Sequence, residues 1–409
     1  MNRRVKHPMW LGALAAVALG ACKEDLVAPG EGTCPAFCPP EQVALVDSVL
    51  SGAIASDSVF DGYVLPWEAG GVHLLTHAGG ATPTSRGVVK VLAFGERLLV
   101  TAGDTTTGPI VATDSFSVRA TVLSRGGTGL ELHVHRLPVT LDSTVSFETL
   151  DDSFADSTRV GMLTIPDSVV EGDTVIVRLD ATGFPTFEAD GRVVTLGLAV
   201  TSPGDGFVSL GALEGGAALQ LIRYVQFDSA GTTVPRLEGR LPLFDTYATP
   251  PLPAPPADVL RIGGAPSART LLRFAIPPRI VDSSRVVRAT LVLVPAGPIQ
   301  GVPGDSLRLI AQGLTTDVGA KSPLLGVHQD TIPTLLVTIP TGSTDTIRLD
   351  VTSLVLRWGL NPDRPRAVMV RAFPEGNSVA QALVGSTASA TGQPTLHLTF
   401  VPPLTLGNR

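Results

Sequence analysis

At 409 residues the chain exceeds the usual reach of one hydrophobic core, so two domains are expected. Its 43 Gly and 34 Pro accompany abundant Val, Thr, Leu and Ser; this excludes a long-helix bundle and points to an all-β chain. Lys and Arg number 30 against 37 Asp and Glu, a net charge of −7, and no basic block follows the first six residues, which excludes nucleic acid as a partner.

Residues 1–21 read as an export signal. Arg3, Arg4 and Lys6 precede an apolar run from Met9 to Leu19 that is too short to span a bilayer, and small residues close the segment before Cys22. The last four positions, Leu19-Gly20-Ala21-Cys22, resemble the lipobox of bacterial lipoproteins. That resemblance implies cleavage before Cys22, diacylglycerol on its thiol and durable membrane anchoring by several acyl chains. Lys23 replaces the Asp that retains enterobacterial lipoproteins at the inner membrane, so the resemblance implies the outer membrane. An ordinary secretory signal is the alternative, and it too exports the chain.

Residues 22–43 form a tether. Cys34 and Cys38, in Thr-Cys-Pro-Ala-Phe-Cys-Pro-Pro, are a close pair that an oxidising compartment closes into a small disulfide loop. Further metal ligands are not nearby, and the two-residue spacing and βαβ context of a redox pair are missing.

Beyond the tether the same motifs recur in the same order. Phe60-Asp61-Gly62-Tyr63 returns as Phe244-Asp245-Thr246-Tyr247, and Val88–Phe94 returns as Arg269–Phe274. Val118-Arg119-Ala120-Thr121 matches Val287-Arg288-Ala289-Thr290, Thr164-Ile165-Pro166 matches Thr338-Ile339-Pro340, Arg178-Leu179-Asp180 matches Arg348-Leu349-Asp350, and Arg192-Val193-Val194 matches Arg366-Ala367-Val368. The spacing stays near roughly 175 residues, as a repeat with loop-length drift requires. The expected modules are therefore 44–228 and 244–403, joined by a linker at 229–243 and followed by a tail at 404–409.

Apolar residues alternate in segments such as Leu130–His135 and Ser306–Ile310, with Gly, Pro and Asp between runs, so half-buried antiparallel strands are expected. The resulting fold class is two tandem antiparallel β-sandwiches of jelly-roll-like type. One short helix interrupts them at 350–359, with Thr352 as cap, Leu354, Val355 and Trp358 on one face, and Gly359 as terminator.

Asp245-Thr246-Tyr247, Arg269–Phe274, Ala289-Thr290-Leu291, Asp350–Trp358 and the closing Gln393–Phe400 together resemble the DNRLRE-type domain of secreted bacterial proteins. The likeness spans most of residues 244–402 and implies a β-sandwich related to alginate-binding carbohydrate modules. The first module has Lys90-Val91-Leu92-Ala93-Phe94 and Ala181–Pro185 where that pattern has its second motif and helix, so its membership rests on the repeat. The resemblance transfers a fold more than a ligand.

Candidate chemistry is sparse. Gly304-Asp305-Ser306-Leu307 spells an esterase nucleophile block, but no activating Asp-x-x-His follows it. His133 and His135 share one side of a strand, expected to be the solvated face; a metal there needs His73 or His77 as well, and no metal ligand is assigned. Asp151, Asp152 and Asp156 suit a structural calcium ion or simply a solvated acidic loop. Trp67, in the loop segment Pro66-Trp67-Glu68, is the candidate platform for stacking on a sugar ring, with ordinary packing as the alternative.

These observations lead to a non-enzymatic, lipid-anchored protein of the cell envelope whose modules bind or adhere, polysaccharide being one ligand class. Two other classes stand beside it: a structural protein docking onto another envelope protein, and a polysaccharide-active enzyme, which needs convergent titratable groups in a cleft.

Overall fold

The computed structural model describes residues 45–63, 71–76, 85–100, 106–180, 193–250, 254–301, 304–322 and 333–403. Cys22, Cys34, Cys38, Trp67 and His77 lie outside the described residues, as do the signal, the tether and the tail at 404–409.

The all-β expectation holds. The strands are β1 (Val46–Leu50), β2 (Ile54–Tyr63), β3 (Gly71–Thr76), β4 (Arg86–Leu92), β5 (Arg97–Leu99), β6 (Thr107–Gly126), β7 (Glu131–Leu137) and β8 (Arg159–Thr164). They continue as β9 (Thr174–Leu179), β10 (Val193–Thr201), β11 (Gly206–Gly211), β12 (Gln220–Ser229), β13 (Thr232–Arg240) and β14 (Pro242–Ala248). The remainder are β15 (Val259–Gly263), β16 (Ser267–Phe274), β17 (Arg285–Leu293), β18 (Ser306–Gly313), β19 (Val337–Pro340), β20 (Ile347–Asp350), β21 (Ala367–Ala372), β22 (Gln381–Gly385) and β23 (Thr395–Val401).

Alternation explains several of them, while others, such as β11 and β21, are buried on both faces. In β9, Val175, Val177 and Leu179 are buried while Thr174, Ile176 and Arg178 face outward. A period of two can bury one face only in an extended chain.

The strands make three antiparallel sheets. β3 to β14 form a 12-stranded sheet with the main order β13-β12-β6-β9-β8-β7-β10-β4-β14, to which β5, β11 and β3 are attached. The 20-residue β6 pairs with β12 along its first part and with β11 along its last. It thereby bends the sheet around one core that includes Val89, Val118, Leu132, Val177, Leu198 and Leu221.

A 4-stranded sheet, β1-β23-β17-β20, faces a 7-stranded one, β19-β18-β21-β16-β15-β22 with β2 beside β16. Leu291, Leu349 and Leu396 of the first meet Leu272, Leu309 and Val368 of the second in a separate core. The described residues from Leu45 onward form one compact unit.

Strand pairing redraws the expected boundaries. β1 and β2, assigned by sequence to the module at 44–228, lie in the C-terminal sandwich, paired with β23 and β16. β14, assigned to 244–403, lies in the N-terminal body, paired with β4. The stretch expected as a linker, 229–243, contains β13, which pairs with β12 from Ser229↔Thr232 to Leu221↔Arg240. Ala230 (φ 54) and Gly231 (φ 87) turn that hairpin; two successive positive φ values suit the twist of a two-residue β-turn. Pro235 sits in β13, a terminal strand of the sheet order, where a missing N–H is tolerated.

The short helix forms over Thr352–Leu360 with Leu354, Val355 and Trp358 buried, and the Trp358 ring lies 5.4 Å from that of Phe274. Its ends differ from expectation. Asp350 Oδ1 accepts the Thr352 N–H, while the Thr352 hydroxyl accepts the N–H of Ala289 in β17. Gly359 does not stop the helix; a Cβ there would stand 2.9 Å from the Val281 carbonyl oxygen, so glycine lets the short helix Pro278–Val281 approach.

One buried ion cluster joins β16 to the segment after β21. Glu375 has no exposed surface; Arg269 Nε donates to its Oε1 at 2.8 Å, and Arg371 Nη1 lies 3.4 Å from its Oε2. Removing one member of such a cluster strands uncompensated charge. Glu375→Ala is expected to lower stability by about 3 to 5 kcal/mol, against under about 1 kcal/mol for Asp317→Ala in the part-exposed Arg273–Asp317 pair. Urea unfolding followed by tryptophan emission reads both variants; equal costs would show that burial adds nothing to the Glu375 cluster.

Candidate functional site

Three strands of the N-terminal body place a polar row on the face turned away from its core. Ser209 of β11 stands opposite His73 of β3 on one side and Ser124 of β6 on the other. Their neighbours Val72, Leu74, Val208 and Leu210 fill the core, so the row faces outward. Yet His73 is 7% exposed and Ser209 1%, because the C-terminal body covers them.

The covering wall is made by the start of β18 and the segment that follows β21. Asp305 organises it: Oδ2 accepts from the Ser378 hydroxyl at 2.7 Å, Oδ1 accepts the Ser306 N–H, and its carbonyl accepts the Thr341 N–H. Glu375 anchors the same segment through its two arginines. Next to it, the Gly376 carbonyl accepts the Tyr247 hydroxyl of β14 at 2.9 Å and also a hydrogen bond from His73. The His73 and Tyr247 rings meet edge to face with centroids 5.2 Å apart.

Between the two walls is a cavity of about 290 Å³ reached by His73, Ser124, Glu171, Ser209, Arg308 and Asn377, with Phe373 also on its lining. This is near the lower end of small-molecule sites, roughly 300 to 1,000 Å³. His73 Nε2 and Ser209 Oγ are buried without hydrogen-bond partners. His73 faces the Gly376 backbone, and its Nε2 is left without a partner. Ser85, fully buried, sets the ring's backbone by donating to the His73 carbonyl and accepting the Leu75 N–H, each at 2.7 Å. Gly71 keeps the floor open, since a Cβ there would lie 2.7 Å from Ser209 Oγ.

Burial pushes His73 down to about 4, so the imidazole is neutral at physiological pH. Burial likewise pushes the Tyr247 phenol up. The lining thus brings a neutral imidazole and hydroxyls together with the carboxyl group of Glu171 and the donors of Arg308 and Asn377, while Asp305 is occupied by Ser378 and the backbone.

The other sequence candidates fall elsewhere. His133 and His135 are buried, not solvated: the turns at Glu148–Phe154 and Asp156–Thr158 lie over them. His133 Nε2 meets the Thr201 hydroxyl, and His135 Nδ1 meets that of Thr158, while the His135 ring packs on Phe154 at 4.9 Å. His73 is in the cleft and does not join them. Asp156 pairs with Arg159 at 3.1 Å, and among the described residues no group of three or more His, Cys, Asp or Glu is placed to hold a metal ion. Ser306 of the esterase-like block lines the cleft, although its Asp305 neighbour is committed to Ser378 and the backbone.

Ser124, Glu171, Ser209, Arg308 and Asn377 were not singled out by sequence. A signal existed for Ser209 and His73: each is the polar residue at an alternate position of an otherwise apolar strand, Gly206–Gly211 and Gly71–Thr76.

No family model matches this chain, and no curated protein matches it. Among solved structures, a DUF4785 family protein from Legionella pneumophila aligns over 86% of this chain and 92% of its own, at 8% identity and a TM-score of 0.14.

The buried groups give the fold a defined acid response. His73 and His135 are both held near 4 by burial, below the ordinary 6.5, so their contribution is complete above pH 6.5 and is lost as pH falls from 6.5 toward 4. For His73 the full loss is about 3 kcal/mol. Asp245 runs the other way: burial raises it to about 6, so its contribution is complete below 3.8 and lost as pH rises through 6. Urea midpoints measured from pH 7 to 4 are expected to fall less steeply in His73→Gln and more steeply in Asp245→Asn than in the parent chain. An unchanged slope in His73→Gln would refute the assignment.

Proposed function

We propose that this chain is a lipid-anchored protein of the cell envelope, tethered at the outer membrane through Cys22, which binds a hydroxyl-rich ligand such as a polysaccharide segment without transforming it. The observation carrying this reading is the polar cleft itself, whose lining brings Glu171, Arg308 and Asn377 together beside two unpartnered groups buried in its wall, His73 Nε2 and Ser209 Oγ. A sugar presents several hydroxyls at fixed angles, which suit the carboxylate of Glu171 as acceptor and Arg308 and Asn377 as donors, while small rearrangements of the wall would bring His73 and Ser209 their missing partners. The Phe373 ring, 39% exposed and also lining the cleft, offers an apolar face for stacking on a pyranose.

Binding is favoured over catalysis by the state of the histidine. A general base works best with a pKa near the operating pH, and His73 at about 4 is too weak a base for that role while remaining a good acceptor. The second reading, docking onto another envelope protein, is favoured by one surface: Tyr224 and Leu237 stand opposite each other on β12 and β13, 46% and 50% exposed.

The mature chain from Cys22, applied to an array of cell-surface polysaccharides, is expected to retain at least one, with His73→Ala and Ser209→Ala each weakening it about 5- to 10-fold. Retention unaffected by both variants moves the site out of the cleft, and no retention by the parent chain overturns the reading in favour of docking. Cys22→Ala in the full precursor is expected to shift the protein from the membrane to the soluble fraction.

A further inference from the structure

The strand pairings and the internal repeat disagree in an orderly way. Val88–Phe94 and Arg269–Phe274 are matching motifs, and they form β4 and β16. Each is flanked on one side by the matching strand of its own repeat, β10 for β4 and β21 for β16. On the other side the partners are crossed. β4 takes β14, which carries Phe244-Asp245-Thr246-Tyr247 of the second repeat, and β16 takes β2, which carries Phe60-Asp61-Gly62-Tyr63 of the first.

The two crossed seats coincide at their tyrosines, although an irregularity in the β2 ladder between Ser267 and Arg269 leaves Phe60 opposite Arg269, one place off from Phe244 opposite Lys90. Tyr247 stands opposite Gly87 and Tyr63 stands opposite Ser267. The repeat alignment that sets Phe94 against Phe274 also sets Gly87 against Ser267, so the two tyrosines mark one position in two copies of the same three-strand unit.

We infer that the two modules have exchanged their opening strands, and that the segment 45–63 is a strand ligand of the C-terminal sandwich, held by β-augmentation and replaceable by another copy of itself. Its contacts run to that sandwich. β1 pairs with β23 from Val46↔Phe400 to Leu50↔Leu396, and β2 with β16 from Ile54↔Phe274 to Tyr63↔Ser267. Ala53 and Ile54 enter the C-terminal core, and Phe60 packs on a cluster of Leu271, Leu314 and Met369. Three acidic side chains fix the register: Asp47 accepts from the Thr399 hydroxyl at 2.6 Å, Asp57 accepts the Thr387 N–H at 2.5 Å, and Asp61 lies 3.6 Å from Arg261. Main-chain ladders supply affinity in such pairings, and alternate side chains supply specificity.

β14 is seated in the opposite direction. Ala248 packs with Val88, Leu137 and Leu150, Tyr247 enters the N-terminal core, and Asp245 Oδ2 accepts the Leu213 N–H at 2.9 Å. Each body is therefore completed by a strand that the repeat assigns to the other, and the two are interlocked.

The test keeps the full chain. A specific protease site is inserted between Tyr63 and Gly71, and the folded protein is cut. The N-terminal piece is expected to co-elute with the remainder on gel filtration in native buffer. A fluorescent 45–63 peptide added in sub-denaturing urea is expected to replace it, and the same peptide carrying Ile54→Asp to compete at least about tenfold less well, since it buries a charge in the core. Release of the N-terminal piece in native buffer, or equal incorporation of both peptides, overturns the proposal.

Discussion

Glu375 is the point on which the arrangement between the two bodies turns. Its carboxylate has no exposed surface and is neutralised by Arg269 of β16 and Arg371 of β21. A buried carboxylate with two guanidinium partners tolerates little displacement, because each hydrogen bond lost exposes an unpaired charge to a medium that cannot solvate it. The segment carrying Glu375 is fixed as a result, and with it the Gly376 carbonyl. Tyr247 and His73, both from the N-terminal body, converge on that one oxygen. The charge cluster thus sets the distance between the walls of the cleft, and the burial of His73 beside Gly376 follows from it.

Local periodicity made much of the fold legible. The alternation that places Leu132 and Val134 in the core and His133 and His135 on the other face can be read residue by residue, and so can the helical face of Leu354, Val355 and Trp358. What periodicity cannot express is the identity of a neighbour. β2 carries a pattern that suits the edge of β4 as well as that of β16, because β4 and β16 repeat one another; the choice is made by Asp57 reaching Thr387 and Asp61 reaching Arg261, contacts across long sequence separations. The hairpin of β12 and β13 is masked for a different reason: Gly and Pro in 229–243 read as linker, although Gly231 is the turn and Pro235 sits on a terminal strand.

The cleft was half legible. His73 stands at an alternate position among apolar residues, which marks an outward face, and outward polar residues are ordinarily wet. Its burial comes from the other body and cannot be read from Gly71–Thr76 alone. The same holds for His133 and His135, whose cover is the pair of short turns ending at Thr158. In each case the strand's own sequence predicts which side a histidine occupies, while a distant segment decides whether water reaches it.

The ladder between β1 and β23 has a consequence for how the protein is made. Asp47 and Thr399 are bonded side chain to side chain across 352 residues of sequence. Synthesis delivers Asp47 some 352 residues before its partner, so β1 must wait, its ladder edge unsatisfied, until β23 arrives. Contacts this remote slow folding and prolong the interval in which a naked edge can meet a protease or another nascent chain. A premature stop ahead of Thr395 would therefore do its first damage hundreds of residues upstream, by removing the ribbon on which β1 comes to rest.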